Sequence, residues 1–191
     1  NPYIIIDGEL KSDGANLALM DSSGTLTIPD GVTKIGNGAF ANLSGLKTII
    51  IPGTVKEIGT NAFTNNADLT RVVLQEGIEI IGNAAFKECD NLTTIDLPES
   101  LNSIGGSAFE GCNKLDNVII PSQITRISGY TFYGCGKLKN ITLPENLETI
   151  ASGAFLDCKS LESIYIPKKV NTISNDTFSL CTKLTNIEIA E

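Results

Sequence analysis

The sequence predicts a solenoid that is mainly β and wound in right-handed coils of 23 residues each. All seven phenylalanines recur at this interval, at Phe40, Phe63, Phe86, Phe109, Phe132, Phe155 and Phe178. The five cysteines recur at the same interval, at Cys89, Cys112, Cys135, Cys158 and Cys181. Six of the seven prolines do so as well, at Pro29, Pro52, Pro98, Pro121, Pro144 and Pro167. A fixed period of roughly 20–50 residues is the signature of a repeat architecture, and its continuity favours one elongated body.

Each coil is expected to contain one strand of a parallel sheet. In the unit from Leu92 to Cys112, Ile95 and Leu97 alternate with polar residues, which places both side chains on one buried face. Pro98 follows at once. Because proline donates no backbone hydrogen bond, it ends the strand and begins a corner.

The remainder of the coil is expected to contain two shorter elements. Leu101 and Ile104 predict a second short extended segment on the opposite side, and the glycine that follows permits the next bend. Ala108, Phe109 and Cys112 have the spacing of one helical turn, which predicts a short helical or 3₁₀ stretch.

The phenylalanine and cysteine columns are expected to be buried, because a coil this short encloses its apolar side chains only when its neighbours cover them. Equivalent side chains of neighbouring coils lie about 4.8 Å apart and point the same way. The Cβ atoms of a disulfide lie roughly 3.8 Å apart and turn towards each other. We therefore predict free thiols and no disulfide. Metal-binding cysteines come in close pairs, whereas no two here are closer than 23 residues, so no metal site is predicted.

Some coils depart from the pattern. Asn66 takes the place of the cysteine in the second coil, and once buried it needs backbone partners or a water. Thr131 and Thr177 replace the alanine, and Ser128 and Ser174 replace the bend glycine. Their hydroxyl groups are expected to satisfy nearby backbone groups, which is an adjustment of the coil and not a site.

Residues 1–23 do not match the unit and are predicted to form a capping β-meander, whereas residues 24–191 hold seven full repeats and part of an eighth. Apolar residues at 3–6, the turn pair Asp7-Gly8 and the returning residues 9–11 predict a hairpin, and residues 13–20 repeat the pattern. Terminal units of solenoids are atypical because they shield an open face. The alternative is a calcium loop built from Asp7, Asp13 and Asp21, but these acids lack the close alternation of known calcium loops.

The other end of the sequence shows no cap. An eighth strand begins at Ile187 and Ile189, and an uncovered last coil exposes apolar side chains and unpaired backbone groups. We expect that the natural protein continues, or that another molecule covers this coil by end-to-end or edge association.

Composition excludes some classes of partner. The formal net charge is −8 and the isoelectric point is near 4.6. Nucleic-acid binding needs clustered lysine and arginine, so neither a nucleic acid nor an anionic membrane surface is expected to bind. No apolar run reaches the roughly 18 residues that a membrane-spanning helix requires.

Motifs for catalysis are missing. The sequence has no histidine, so the Ser-His and Cys-His pairs of common nucleophilic enzymes are absent. It has no phosphate-cradling glycine loop of the G-x-x-x-x-G-K-[ST] type. We predict no enzyme, no catalytic residue and no cofactor. A carboxylate pair that converges across two coils is the alternative that the sequence leaves open.

The surface best suited to binding is the outward face of the parallel sheet. Residues that alternate with the buried pair form two outward columns, of which the first is polar and the second mixes apolar residues with acids. Solenoids generally bind partners on their extended concave face. Exposed apolar residues on this face are one feature of binding sites, but the same residue types are also good strand formers. A binding site and simple strand propensity both stay open as interpretations of the second column. The candidate binding residues are Ile50, Arg71, Val73, Asp96, Asn117, Ile119, Asn140 and Tyr165.

The unit LxxIxLPxxLxxIgxxAFxxC, as it stands from Leu92 to Cys112, resembles the BspA-like bacterial leucine-rich repeats. The resemblance covers residues 24–191 and rests on the proline after the strand, the Ala-Phe pair and the cysteine three residues beyond it. It implies a leucine-rich repeat solenoid. It also implies a secreted or surface-attached bacterial protein with a role in adhesion to host proteins or to other cells.

Two functions follow as hypotheses. The first is a noncatalytic module, outside the bacterial cell or on its surface, that binds a protein or glycan of a host or neighbouring cell through the sheet face. The alternative is a structural spacer that presents another domain from the cell surface.

Overall fold

The computed structural model describes residues 5–11 and 19–191. Within these ranges the chain is a stack of coils made of short strands and turns, with almost no helix. The predicted strand residues at 3–4 and the second half of the predicted meander at 12–18, including Asp13, lie outside the described residues. In chain order the strands are β1 (Ile5–Ile6), β2 (Glu9–Leu10), β3 (Thr25–Thr27), β4 (Lys34–Ile35), β5 (Thr48–Ile51), β6 (Glu57–Ile58), β7 (Arg71–Leu74), β8 (Ile80–Ile81), β9 (Thr94–Asp96), β10 (Ser103–Ile104), β11 (Asn117–Ile119), β12 (Arg126–Ile127), β13 (Asn140–Thr142), β14 (Thr149–Ile150), β15 (Ser163–Ile166), β16 (Thr172–Ile173) and β17 (Asn186–Ile189).

Each coil contributes one strand to each of two sides. The odd-numbered strands from β3 to β13 form a six-stranded parallel sheet, and β15 and β17 form a parallel pair. We call these odd-numbered strands together the front sheet. The even-numbered strands form the opposite side, which we call the back sheet, with β2 to β10 in one sheet and β12, β14 and β16 in another. The predicted strand and second extended segment of each coil are therefore both confirmed.

The N-terminal hairpin adds two strands, β1 and β2, to the edge of the back sheet. Strands β1 and β2 pair antiparallel around Asp7 and Gly8, whose φ angles are 50° and 79°, as a two-residue hairpin turn requires. Strand β2 then pairs in parallel with β4, with Leu10 opposite Ile35. Leu10 is fully buried, and the capping role of this N-terminal segment stays a prediction. The boundary after residue 23 stays a prediction.

The back sheet is interrupted between β10 and β12, where the bend position changes from glycine to serine. Gly105 donates its N–H to the carbonyl of Ile81 in the coil before, at 2.8 Å. A Cβ atom on Gly105 would collide with the backbone nitrogen of Asn83, so this close approach of two coils requires glycine. Ser128 stands one coil later, and its hydroxyl donates to the carbonyl of Ile104 at 2.7 Å. The side chain thus replaces a backbone hydrogen bond of the ladder.

The segment around the Ala-Phe pair differs from the predicted helical turn. It is a run of turns in which Ser107 and Gly111 have φ angles of 57° and 72°. Such left-handed residues interrupt a helix. They also turn alternate N–H groups towards the next coil, so that Ser107, Phe109 and Gly111 donate to carbonyls there at 3.0, 2.9 and 2.8 Å. This segment is therefore a third ladder between coils, which we call the turn ladder.

The phenylalanine column forms a continuous stack through the core. Neighbouring rings are parallel within 1–8°, with centroids 5.3–5.8 Å apart. The first six rings are fully buried, which confirms the prediction for them. Phe178 is only partly buried, because its coil has a neighbour on one side.

The cysteines are free and buried, as predicted. Each thiol also donates a hydrogen bond to the carbonyl of the phenylalanine in the preceding coil, with sulfur–oxygen distances of 3.0–3.3 Å. The thiols are therefore weak donors to buried carbonyls as well as small apolar side chains. Burial raises the pKa of the Cys112 and Cys135 thiols well above the ordinary value.

Asn66 fills the cysteine position with a wider set of hydrogen bonds. Its amide nitrogen donates to the carbonyls of Phe40 and Phe63 at 2.9 and 2.7 Å, and its side-chain oxygen accepts the N–H of Leu43 at 2.9 Å. The side chain is fully buried. The prediction that a buried asparagine here finds backbone partners is confirmed.

The substituted hydroxyls also find backbone partners. Thr131 and Thr177 donate to the carbonyls of Ser128 and Ser174 in their own coils, at 2.8 and 2.7 Å. Both threonine side chains are buried. These hydrogen bonds explain how a polar atom is accommodated at the alanine position.

Apolar side chains are exposed on the last coil. Its exposed isoleucines are Ile173, Ile187 and Ile189. The side chains at the matching positions one coil earlier are all buried, and they are Ile150, Ile164 and Ile166. The difference arises because each coil of a solenoid is covered by its neighbours, and the last coil lacks one of them. Association through this face stays a prediction.

We expect Phe109→Ala to lower the free energy of unfolding by about 3–5 kcal/mol, since the ring is fully buried. It also stacks on rings at both sides. Urea denaturation followed by circular dichroism measures the loss. Phe178→Ala is the matched control, because the same atoms leave a partly buried ring that has one stacking neighbour, and its loss is expected to be smaller. Equal losses in the two variants would contradict the buried stack.

We expect Asn66→Ala to lower the free energy of unfolding by about 2 kcal/mol or more, because it removes the partners of a buried carbonyl and of the Leu43 N–H. Asn66→Cys restores a donor for the Phe40 carbonyl but no acceptor, so its loss is expected to be intermediate. The urea midpoints of the three proteins test this order. An alanine variant as stable as the parent would show that the amide bridge contributes nothing.

Stability is also expected to fall as the pH rises above about 9. Burial raises the pKa of the Cys89 thiol from 9.0 to about 12. Between these values the unfolded state has released the proton that the folded state keeps, so the free energy of unfolding decreases with pH. Urea midpoints measured from neutral pH up to about 11 test the slope. The Cys89→Ala variant is expected to show a shallower decline, and an unchanged slope would rule out this thiol as a source.

Candidate binding site on the front sheet

The candidate residues lie on two straight columns of the front sheet. Parallel pairing in register places Thr48, Arg71, Thr94, Asn117 and Asn140 side by side across successive strands. The second column lies two residues further along each strand, with Ile50 opposite Val73 and Val73 opposite Asp96. Side chains two residues apart point to the same face of a strand, so both columns face outward.

The exposure of these side chains varies along the second column. Ile119 is 68% exposed and Tyr165 is 42% exposed, whereas Ile50 and Val73 are half-buried. Ile119 pairs with Thr142, and Tyr165 pairs with Glu188. The large apolar side chains therefore do not form one patch. They divide into a half-buried pair near the N terminus and two separate exposed side chains further on.

Polar members of the first column contact one another. The side-chain amide of Asn140 donates to the side-chain oxygen of Asn117 at 2.7 Å. Arg71 and Asp96 are exposed, and Arg71 lies beside Thr94 in the sheet register. The structure thus places all eight candidate residues on one face, although Tyr165 belongs to the separate strand pair at the C-terminal end.

A shallow depression crosses the middle of this face. It has a volume of about 340 Å³ and is lined by Thr94, Ile95, Asp96, Leu97, Glu99, Asn117 and Ile119. Three of the candidate residues, Asp96, Asn117 and Ile119, meet there. The carboxylate of Glu99 accepts hydrogen bonds from the backbone N–H and the hydroxyl of Ser122 at 3.2 and 2.9 Å. These two hydrogen bonds link the coil of Glu99 to the next coil.

Sequence reasoning missed a second depression beside the first. It has a volume of about 360 Å³, shares Thr94, and is otherwise lined by Thr93, Lys114, Asp116, Lys137 and Lys139. These residues lie just before strands β9, β11 and β13, outside the alternating strand positions on which the prediction was based. The sequence does contain a signal for this basic depression, because Lys114 and Lys137 are one 23-residue step apart and therefore lie on neighbouring coils.

The described residues offer little basis for catalysis. No group of three or more histidine, cysteine, aspartate or glutamate side chains among them is placed to hold a metal ion. The strongly shifted thiols are those of buried cysteines, whose pKa values are raised by burial, whereas reactive thiols have lowered pKa values. None of the described helical segments is long and apolar enough to cross a membrane.

Comparison with known proteins agrees with this architecture. The sequence matches the BspA type leucine rich repeat region in six copies, over residues 20–135 and 107–191. No curated protein matches the chain. A leucine rich cell surface protein from Faecalibacterium prausnitzii A2-165 is 32% identical, with a TM-score of 0.87, over 98% of this chain and 52% of its own.

Two further solved structures are similar. A leucine-rich repeat protein from Bacteroides ovatus ATCC 8483 is 31% identical, with a TM-score of 0.84, over 97% of this chain and 51% of its own. The leucine-rich repeat protein of T. pallidum is 25% identical, with a TM-score of 0.82, over 96% of this chain and 87% of its own.

The chain thus spans about half the length of the first two proteins. The matching family and these structures are repeat proteins, and no enzyme family is indicated. The repeat, the two sheets and the match over most of the sequence lead to one conclusion: this chain belongs to the BspA-type leucine-rich repeat family.

Proposed function

We propose that this chain is a noncatalytic binding module that uses the front sheet to hold a protein or glycan of a host or neighbouring cell. The observation that carries the proposal is the exposure of Ile119 and Tyr165, at 68% and 42%, on a face whose other outward side chains are polar or half-buried. Aromatic and apolar side chains with polar neighbours are common at protein interfaces.

The backbone of this face is suited to binding. Strands β5, β7, β9 and β11 are fixed by parallel pairing on either side, so little conformational freedom is lost there when a partner binds. Eight strands at about 4.8 Å each give a surface roughly 34 Å long between the first and last strand. A surface of that shape fits an extended chain better than a compact small molecule.

The location that we propose is outside the bacterial cell or on its surface. The similar protein from Faecalibacterium prausnitzii A2-165 is a cell surface protein, which supports this location. We propose neither a nucleic-acid partner nor membrane insertion by this segment, because the net charge is −8 and phosphate binding needs clustered cations. Adhesion is the role that a module of this kind would serve there.

We expect simultaneous replacement of Arg71, Ile119 and Tyr165 by alanine to reduce binding of the labelled chain to intact epithelial cells or to an immobilised glycan array by about tenfold or more. Loss of one arginine and two large exposed side chains removes the residue types that dominate interface energetics. Flow cytometry and array fluorescence measure the change.

The matched control replaces Ile80, Arg126 and Tyr133 by alanine. These are the same residue types, exposed on the back sheet and the turn segment, and they are expected to leave binding unchanged. Equal loss in both variants would show that the front sheet has no special role. If neither cells nor glycans bind the parent chain, the result favours the alternative function, a structural spacer.

A further inference from the structure

The second depression has a charge opposite to that of the whole chain. It is lined by Thr93, Thr94, Lys114, Asp116, Lys137 and Lys139. The chain carries a net charge of −8, but three lysines and one aspartate give this depression a local charge of +2. At physiological ionic strength, charges more than about 8 Å away are largely screened. A bound group therefore experiences mainly the charges near it, which are those of the lining residues and of Asp90, whose carbonyl accepts the Lys114 N–H at 3.2 Å.

Four lysines pair with an acid one coil away, and they are Lys34, Lys56, Lys87 and Lys139. Lys34 pairs with Glu57 at 2.9 Å, and Lys87 pairs with Glu110 at 2.9 Å. Lys114 and Lys137 instead lie one coil apart from each other, and neither has an ion-pair partner among residues 5–11 and 19–191. Like charges at neighbouring positions repel. An anion between them would remove that repulsion.

Asp116 adds a hydrogen-bond acceptor to the same depression. Its Oδ1 atom is buried and, among the described side chains, has no hydrogen-bond partner. The Nζ atom of Lys139 lies 3.7 Å away and forms an ion pair with Oδ1, although this distance is too long for a hydrogen bond. The Asp116 side chain as a whole is 41% exposed, so its other oxygen, Oδ2, is the acceptor that a ligand can reach. A ligand that suits this depression therefore carries donors as well as negative charge.

We propose that this depression binds an acidic sugar, a ring that bears a carboxylate or sulfate group, as part of a glycan that extends onto the front sheet. Its anionic group lies between Lys114 and Lys137, and a ring hydroxyl donates to Oδ2 of Asp116. The proposal rests on the proposed function, because Thr94 belongs to both depressions and joins this one to the candidate face.

Size and chemistry favour a sugar over an acidic peptide. The volume of about 360 Å³ lies near the lower limit for small-molecule sites, which are roughly 300–1,000 Å³. The methylene groups of the lysines and the methyl groups of Thr93 and Thr94 provide apolar contacts for the C–H face of a ring. A glutamate peptide brings carboxylates and backbone N–H donors, but it has no C–H ring face for these apolar contacts.

Isothermal titration at low ionic strength with four probes tests the proposal. The probes are a hyaluronan tetrasaccharide, a chondroitin sulfate tetrasaccharide, neutral chitotetraose and an octaglutamate peptide. We expect one or both acidic tetrasaccharides to bind, and the comparison between them distinguishes a carboxylate from a sulfate. Lys114→Gln with Lys137→Gln is expected to weaken that binding by about tenfold or more. Lys168→Gln with Lys169→Gln removes the same charge from an exposed corner and is the matched control.

A second variant separates the two kinds of acidic ligand. Asp116→Ala removes a negative charge, so it is expected to strengthen octaglutamate binding, but it also removes the acceptor and is expected to weaken binding of the sugar. Equal binding of chitotetraose, tighter binding of octaglutamate, or an unchanged affinity in the double lysine variant would overturn the proposal. Such a result would leave the front-sheet function intact if the Arg71, Ile119 and Tyr165 variant still lost binding.

Discussion

The structure depends on one constraint, which is that every coil repeats the backbone path of its neighbour closely enough for three ladders of hydrogen bonds to form between them. The front and back sheets supply two of these ladders and the turn ladder supplies the third. Buried backbone N–H and C=O groups must find partners, and in this chain the partner usually lies one coil away. That requirement fixes the length of the repeat, and once the backbones are aligned, equivalent side chains stack.

The interior columns follow from this alignment. Parallel rings at 5.3–5.8 Å fill the centre, and the phenylalanine carbonyls beside them face the interior, where a donor is needed. A thiol is small enough to fit and reaches the carbonyl of the coil before, for example from Cys112 to Phe86 at 3.2 Å. Asn66 satisfies two such carbonyls at once. The cysteine column is therefore explained by hydrogen bonding as well as by packing.

The sequence predicts the coil length, both strands of the coil, the buried columns and the partners of Asn66, because each depends on spacing alone. It does not predict the turn ladder around Phe109, since the spacing of Ala108, Phe109 and Cys112 fits a helix equally well. The left-handed conformations of Ser107 and Gly111 arise from contact with the next coil. For the binding face, alternation predicts which residues point outward but not the depressions between strands. Lys114 and Lys137 lie outside the strands, so strand alternation could not identify them.

The exact register of the coils separates two sets of residues within each repeat. Phenylalanine, cysteine, leucine and isoleucine positions hold neighbouring coils together, whereas the outward columns make few contacts that the fold requires. Duplication or loss of a whole coil would therefore lengthen or shorten the surface by about 4.8 Å and would add or remove one residue from every outward column. Such a chain can change the width and chemistry of its contact surface in evolution without needing a new core.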